Sequence, residues 1–427
     1  MTISYSPRTA RRLTNILFIA QCLSSAALIA NVQVNPIIGA RLSGHVELAG
    51  VAGTLLLIGA AISAHLSGRF MQRFGRRLGL ALGFLIGTIG MLISGTGVVL
   101  GSFTLFLLGV VLLGGARGAA DQSRYAAADT QPPSQRARAI SMIVFASTVG
   151  AVAGPWLASS KGNLLGNLTA APQAGTMWVG ALLFGIAGML IFLLLRPDPL
   201  EIGRIIAEPQ MRSHGPSLPA RPLGEIMRLP AARLALAAMV IGQAVMVLVM
   251  SVTSLHMDSH HHGGDEISLV FMAHTIGMYG LSIVTGTAID RLGRKLAIAI
   301  GVALLVAGGL IAPSSLITAW LALALFLIGL GWNLCYVAGS TLLSDILASS
   351  ERSSIQGSIE LVVNLTSASC SLLSGVILAN LGYTLLGVLG AALALIPLGV
   401  LAWQGLRRPD GSLKDSRTPQ ATPTTFD

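Results

Sequence analysis

Twelve apolar runs alternate with short polar connections along the chain. A helix needs about 20 apolar residues to cross the hydrocarbon core of a bilayer. The runs lie at 14–38, 46–67, 78–97, 101–127, 138–158, 176–195, 231–256, 267–288, 296–313, 316–345, 355–380 and 383–405. Ala, Leu and Gly dominate them, without the alternation of polar and apolar positions that a membrane barrel requires. The pattern predicts an all-α polytopic membrane protein with twelve transmembrane helices.

Two short charged segments repeat each other and suggest that the chain consists of two related halves. Residues 286–295 read Gly-Thr-Ala-Ile-Asp-Arg-Leu-Gly-Arg-Lys, and residues 68–77 are a diverged copy with Gln72 at the position of Asp290. Each segment follows the second apolar run of its half and precedes the third.

A second internal match supports the duplication. The interval from Asp129 to Arg136, after the fourth run, recurs from Asp345 to Arg352, after the tenth. Two pseudo-symmetric six-helix halves are therefore predicted, the arrangement of a duplicated membrane bundle. The predicted parts are an amino-terminal half at 1–195, a cytoplasmic linker at 196–230, a carboxy-terminal half at 231–405 and a disordered cytoplasmic tail at 406–427.

Composition and charge distribution agree with a membrane protein and argue against a nucleic-acid partner. The 427 residues are 53% hydrophobic and 10% charged, with a net charge of +10. If both termini are cytoplasmic, only Arg41 and Lys161 of the 27 Lys and Arg residues lie in connections on the other side, while Arg117 and Arg124 lie in the fourth run. This bias follows the positive-inside rule. We expect a multi-pass protein of a bacterial-type inner membrane, surrounded by lipid.

Polar residues within the first and fourth runs are candidates for a site. Asn31 and Asn35 are four residues apart and share one helix face. They form hydrogen bonds between helices or line a substrate path. Arg117, Asp121 and Arg124 also share one face, where Asp121 neutralises either arginine. Ionisable groups at membrane depth are functional candidates, and the alternative is a static ion network.

The carboxy-terminal half adds further candidates. Glu360 is an acid in the interior of the predicted helices of this half. A carboxyl group in a low-dielectric site can load and release protons near working pH. Glu360 and Asp121 are thus the candidates for proton coupling. The alternative for Glu360 is an interfacial acid at the cytoplasmic mouth. Possible cavity-lining residues are Gln243, Asn333, Tyr336 and Asn364.

A histidine-rich turn joins the seventh and eighth runs on the predicted outer side. His256, Asp258 and His260 lie in or before this turn, and His274 follows about two helical turns after it. Three hypotheses remain open: a solvated turn without a special task, a proton-sensing cluster, and a metal site. Metal binding has no diagnostic spacing to support it.

The charged segments resemble a signature of the major facilitator superfamily, Gly-x-x-x-Asp-Arg-x-Gly-Arg-Lys. The second segment matches at Gly286, Asp290, Arg291, Gly293, Arg294 and Lys295, and the first matches at Gly68, Arg73, Gly75, Arg76 and Arg77. The resemblance covers about residues 10–405 and implies a conformational latch that steadies one access state. By this resemblance Asp290 and Arg294 form the latch in the second half, whereas Gln72 departs from the pattern in the first.

The fifth run is similar to the antiporter signature of that family. Gly150, Gly154 and Pro155 match, whereas Ala158 and Ser159 stand where two glycines are usual. Glycines four apart also allow close helix approach. The match favours export, as in drug:proton antiporters.

The resemblance implies a transporter rather than an enzyme, and we expect no cofactor because no phosphate loop or dinucleotide fingerprint is present. The preferred hypothesis is proton-coupled antiport of a small organic or amphipathic compound by a monomer. The alternatives are proton-coupled uptake of a small anionic nutrient through Arg117 or Arg124, divalent metal export through the histidines, and a non-transporting receptor.

Overall fold

The chain folds as a bundle of long helices. The structure, a computed structural model, describes residues 6–159, 171–211, 223–347 and 352–406, and regular structure within these ranges is entirely helical. The helices of the first half are α1 (Pro7–Ser43), α2 (Val51–Phe74), α3 (Arg76–Val99), α4 (Phe103–Ala120), α5 (Ser123–Asp129), α6 (Pro133–Ala158) and α7 (Pro172–Leu194), with a 3₁₀ turn at Val46–Gly50.

The described parts of the predicted linker, 196–211 and 223–230, contain two short helices, and the second half follows them. The linker helices are α8 (Pro199–Met211) and α9 (Leu223–Ile226). The later helices are α10 (Pro230–Ser259), α11 (Gly264–Thr275), α12 (Ser282–Leu292), α13 (Arg294–Ile311), α14 (Thr318–Ile346), α15 (Arg352–Ala394) and α16 (Ile396–Leu406), with a π-helical turn at Ile276–Gly280 between α11 and α12. The predicted tail, apart from residue 406, lies outside the described residues.

The all-α polytopic membrane fold is confirmed, and the described residues account for nine or ten of the twelve predicted spans. Within the described ranges, nine helical stretches are long and apolar enough to cross a membrane, and α11 with α12, bent by 48°, makes a tenth. Within α6 the described apolar stretch is Phe145–Ala158, which is shorter than this measure requires. Leu361–Gln404 counts once, although its 44 residues are interrupted by Gly382 at φ 78°. A helix of that length is about twice the hydrocarbon thickness.

The same helix pairs pack in both halves. In the first half α1 packs on α6, and both α2 and α3 pack on α4. In the second half α10 packs on α15, and both α11 and α13 pack on α14. Each half has its own apolar core, centred on Phe84 and Phe184 in the first and on Val245 and Ile328 in the second. The internal sequence repeat therefore corresponds to a repeat of packing.

The bundle has two distinct ends. The basic end holds the charged connections at 68–77 and 286–295, and the far end holds the turns after α1 and α10. Gly75 and Gly293 occupy equivalent connections at the basic end with φ of 95° and 85°. Because residues with a Cβ rarely adopt this conformation, glycine is favoured at both positions.

The two halves meet through polar contacts toward the far end. The Gln33 amide donates to Ser268 Oγ over 3.0 Å, and Thr54 Oγ1 donates to the Ala368 carbonyl over 2.9 Å. Ser371 Oγ donates to the Gly50 carbonyl over 3.1 Å, and a methyl group on Gly50 would overlap the Ser371 backbone. These contacts close the far end around small side chains.

Candidate substrate cavity

A cavity of about 150 Å³ lies between the two halves. Helices α1, α2 and α4 line it from the first half, and α10, α11, the π-helical turn and α15 line it from the second. Most of the wall is aliphatic or methionine. The polar lining includes Asn35, Arg117, Gln243, His274 and Tyr279.

The two predicted asparagines of α1 form a pair, and only one of them is among the residues lining the cavity. Asn35 Nδ2 donates to Asn31 Oδ1 over 2.8 Å, and Asn31 Nδ2 contacts the Met177 sulfur. Asn35 lines the cavity, whereas Asn31 lies behind it and orients it. Of the two alternatives predicted for these asparagines, Asn31 makes the contact between helices and Asn35 lines the cavity.

The charged residues of the fourth run lie in two neighbouring compartments. The helix breaks at 121–122, between α4 and α5. Arg117 lines the central cavity, and Asp121 and Arg124 line a second compartment of about 160 Å³ on its basic-end side. Tyr279 lines both compartments and interacts electrostatically with Arg117 and Asp121. The Asp121 side chain is exposed.

Aromatic side chains stand behind the second-half wall. Trp332 Nε1 donates to Gln243 Oε1 over 2.6 Å, which orients this predicted lining residue. The Trp332 ring stacks on Tyr336 at 5.1 Å and meets Tyr279 edge-on at 5.9 Å. Tyr336 thus supports the wall through Trp332 and is not among the lining residues.

Asn333, predicted to bind substrate, braces the bend of the eighth span. Its Nδ2 donates to the Met278 carbonyl over 2.7 Å, and its Oδ1 accepts from Thr285 Oγ1 over 2.7 Å. It is buried and is not among the cavity-lining residues. The sequence predicts a substrate contact for Asn333 because it lies inside an apolar run. Its amide instead hydrogen-bonds the Met278 carbonyl within the π-helical turn.

The remaining candidates on α15 contribute less. Asn364 is half-buried on that helix and is not a lining residue of the cavity. The side chain of Glu360 lies outside the described residues, so its proton-coupling role stays a prediction.

The histidine-rich turn at the far end is divided among separate contacts. Arg41 binds Asp258 through both carboxylate oxygens at 2.8 and 3.0 Å. The His256 ring stacks on Tyr383 at 4.1 Å, and His260 Nδ1 contacts the His256 carbonyl. His274 lies apart from them, buried beside the central cavity. The described part of the chain holds no group of three or more His, Cys, Asp or Glu side chains placed to bind a metal.

Equivalent ion pairs tie the charged connections to the ends of α5 and α14. Arg76 Nε bonds Asp129 at 2.9 Å, and Arg294 Nε bonds Asp345 at 3.2 Å. Asp290, the predicted partner of Arg294, is more distant at 3.8 Å and largely exposed. Sequence reasoning did not assign a partner role to Asp129 and Asp345, although their repeated interval marked both.

The first connection also recruits an acid from the linker. Asp198 accepts hydrogen bonds from the backbone amides of Arg76 and Arg77 at 3.0 Å, which caps the amino terminus of α3. It places a carboxylate at the first connection, where the signature position holds Gln72 rather than an acid. Among the other signature residues, Arg73 and Arg291 are exposed, and a Cβ at Gly68 or Gly286 would meet open space.

The glycines of the fifth run are packing positions. A Cβ on Gly150 would overlap the Cys22 carbonyl, and one on Gly154 would lie 2.7 Å from the Ala26 carbonyl. Pro155 follows within the same helix, α6. Close approach of α6 to α1 gives a packing reason for both glycines, and their role in antiport stays a prediction.

A membrane-embedded, two-half bundle with a central cavity between its halves defines the class of membrane transport proteins. A family model described as Major Facilitator Superfamily matches residues 17–264 and 234–425. The chain belongs to the Major Facilitator Superfamily, as the charged segments indicated, and is a transport protein rather than an enzyme.

Relatives and solved structures agree with this family. The chain is 34% identical to the uncharacterized MFS-type transporter YdeG of Bacillus subtilis, covering 92% of each chain, and 33% identical to YddS of the same organism, covering 92% and 91%. It is 29% identical to the riboflavin transporter RfnT of Brucella anthropi, covering 91% and 95%.

Among solved structures, the fold is similar to the POT family transporter PepTSo, with a TM-score of 0.68 at 11% identity. The alignment covers 95% of this chain and all of that one. It is also similar to the nucleoside transporter NupG, with a TM-score of 0.67 at 14% identity, covering 94% and 100%.

Proposed function

We propose that this protein is a proton-coupled secondary transporter that exports a small organic or amphipathic compound by antiport. The two halves would rock around the central cavity, with the far end closed in the conformation described here. The charge bias and the bacterial relatives support a bacterial inner membrane with both termini in the cytoplasm. The basic end would then be the cytoplasmic mouth.

One observation carries this proposal: Asp121 lies next to the cavity and is also exposed. Tyr279 lines both compartments, so a proton on Asp121 and a solute in the central cavity interact across a single side chain. Arg117 lies four residues, about one helical turn, before Asp121, so a solute that engages Arg117 from the central cavity lies close to Asp121. Through this proximity, solute binding and proton transfer at Asp121 would be linked.

The test measures proton movement in sealed vesicles that contain the purified protein and a pH-sensitive dye. Under an imposed proton gradient, a panel of organic compounds is added to the wild type and to Asp121→Asn. We expect a transported compound to dissipate the gradient with the wild type and to give only background with Asp121→Asn. Equal proton flux in both proteins would remove Asp121 as the coupling acid.

Uptake of a small anionic nutrient is the second candidate, because Arg117 places a positive charge in the cavity wall. The 29% identical riboflavin transporter supports a nutrient as substrate. Under this candidate, Arg117→Gln lowers accumulation of an anionic solute or of riboflavin in whole cells. Normal accumulation would count against it. Metal export has no ligand group among the described residues to support it.

A further inference from the structure

His274 lines the central cavity and has an unused hydrogen-bond acceptor. Its Nδ1 lies 2.8 Å from the Leu325 carbonyl, which only accepts, so Nδ1 carries the proton. In the neutral ring Nε2 is then an acceptor. The residue is fully buried, and Nε2 has no protein partner.

Asn35 presents a second unused acceptor from the opposite half. Its Nδ2 donates to Asn31, which leaves Oδ1 buried without a protein partner. Both residues line the same cavity. A buried acceptor left unpaired costs free energy, so two of them among the residues of one cavity favour a bound solute that supplies donors.

The rest of the wall limits the ligand further. Arg117 supplies donors, so the ligand needs an acceptor, and Tyr279 and Met246 supply flat and polarisable surface. A cavity of about 150 Å³ accommodates a single ring, since apolar cavities of about this volume bind benzene.

The second compartment is polar and also has an unused acceptor. Gln21 Nε2 donates to Ser147 over 3.0 Å, while Gln21 Oε1 is buried without a protein partner. Both residues line this compartment with Asp121 and Arg124. Hydroxyl groups, which donate and accept, satisfy such a lining.

We propose that the cavity binds the ring of a cyclic imide or lactam that carries a hydroxylated substituent. The ring N–H donates to His274 Nε2, and a second N–H or hydroxyl donates to Asn35 Oδ1. The ring carbonyl accepts from Arg117, and the substituent occupies the second compartment. This inference rests on the proposed transport function and names its substrate class.

Equilibrium binding to the purified full-length protein tests the proposal with two pairs of probes. Uridine and thymidine each carry an imide N–H on a single ring together with hydroxyl groups, and their N3-methyl derivatives lack only that N–H. We expect at least one parent compound to bind, and its methyl derivative to bind about tenfold more weakly, as for loss of one hydrogen bond to a buried acceptor.

Two variants locate the effect. His274→Phe keeps a ring and removes Nε2, so we expect about tenfold weaker binding of the parent and no remaining discrimination against the methyl derivative. Ser367→Ala is the control, because Ser367 is buried, is not among the cavity-lining residues, and donates its hydroxyl to the Val363 carbonyl. It should bind both compounds as the wild type does.

The contrary outcomes are distinct from failure of transport. Equal binding of parent and methyl compounds by the wild type overturns the assignment, and this comparison needs no variant to fold. Binding of neither parent, with proton-coupled flux of another compound in vesicles, overturns the ligand class and leaves the transport proposal intact. Binding with the expected discrimination, but no proton-coupled flux of the bound probe, supports the ligand class and contradicts proton-coupled transport of that probe.

Discussion

Two equivalent ion pairs differ in how much water reaches them. The Arg76 and Asp129 side chains are 14% and 28% exposed, whereas those of Arg294 and Asp345 are 31% and 50% exposed. Solvent screens a charge pair and lowers its contribution to stability. We therefore expect the Arg76–Asp129 pair to contribute more to the stability of the protein than the Arg294–Asp345 pair.

Replacing each acid by its amide measures this difference. We expect Asp129→Asn to destabilise the protein by about 1–3 kcal/mol, because it leaves a largely buried guanidinium without its carboxylate. Asp345→Asn should cost less than about 1 kcal/mol. Thermal unfolding of both variants in the same detergent gives the comparison. Equal losses would show that exposure does not set the contribution of these pairs.

Residue types alone predicted part of the residues that line the cavity. Arg117, Asp121 and Asn35 reach the cavity compartments because a charged or amide group inside a membrane helix is costly unless it faces a partner or water. The same argument does not place Asn333 at the cavity, because its amide donates to the Met278 carbonyl. That carbonyl lies in a π-helical turn that the sequence pattern does not predict. His274 lines the cavity, whereas His256 stacks on Tyr383. This difference arises from tertiary packing, and their closeness in sequence does not predict it.

At the scale of elements, the apolar runs predicted where the helices lie but not where the helices are interrupted. Helical patterning is set by length and composition, which the chain shows plainly. The break at 121–122 and the π-helical turn of the eighth span lie inside uniformly helical sequence. Both adjoin the cavity, so the irregular backbone lies where solutes and water reach it, as membranes require.

The bend of the eighth span depends on Asn333. Replacing it by Leu leaves the Met278 carbonyl and the Thr285 hydroxyl without this amide. We expect the span to straighten from its 48° bend, which lengthens the distance between its ends by about 3 Å. Spin labels at Leu269 and Leu292, both exposed, report this distance.

Ser282→Ala is the control for that measurement. Ser282 Oγ accepts from Asn333 over a longer 3.3 Å, so its loss should leave the bend nearly unchanged. An unaltered distance in Asn333→Leu would show that packing against α14 alone holds the bend.

At the scale of the whole molecule, the sequence indicated two halves but not which end is closed. The far-end contacts rest on backbone carbonyls and small residues such as Gly50 and Ser371, which have no distinctive pattern. The duplication predicts the fold of each half. Which end of the bundle is closed depends on a small free-energy difference between two arrangements of the same two halves.

Arg41 and Asp258 form the ion pair that spans the closed far end, and charge reversal tests its contribution. Asp258→Arg opposes two cations there and should shift the population toward a far-end-open form. The effect should be about fivefold or less, since exposed pairs contribute up to about 1 kcal/mol. The double variant Arg41→Asp with Asp258→Arg should restore the original population, and high salt should reduce the difference. Distances between spin labels at His45 and Ser259 follow the opening, in a protein whose three native cysteines are replaced. Identical distance distributions in all three proteins would mean that helix packing, rather than this pair, sets the closure.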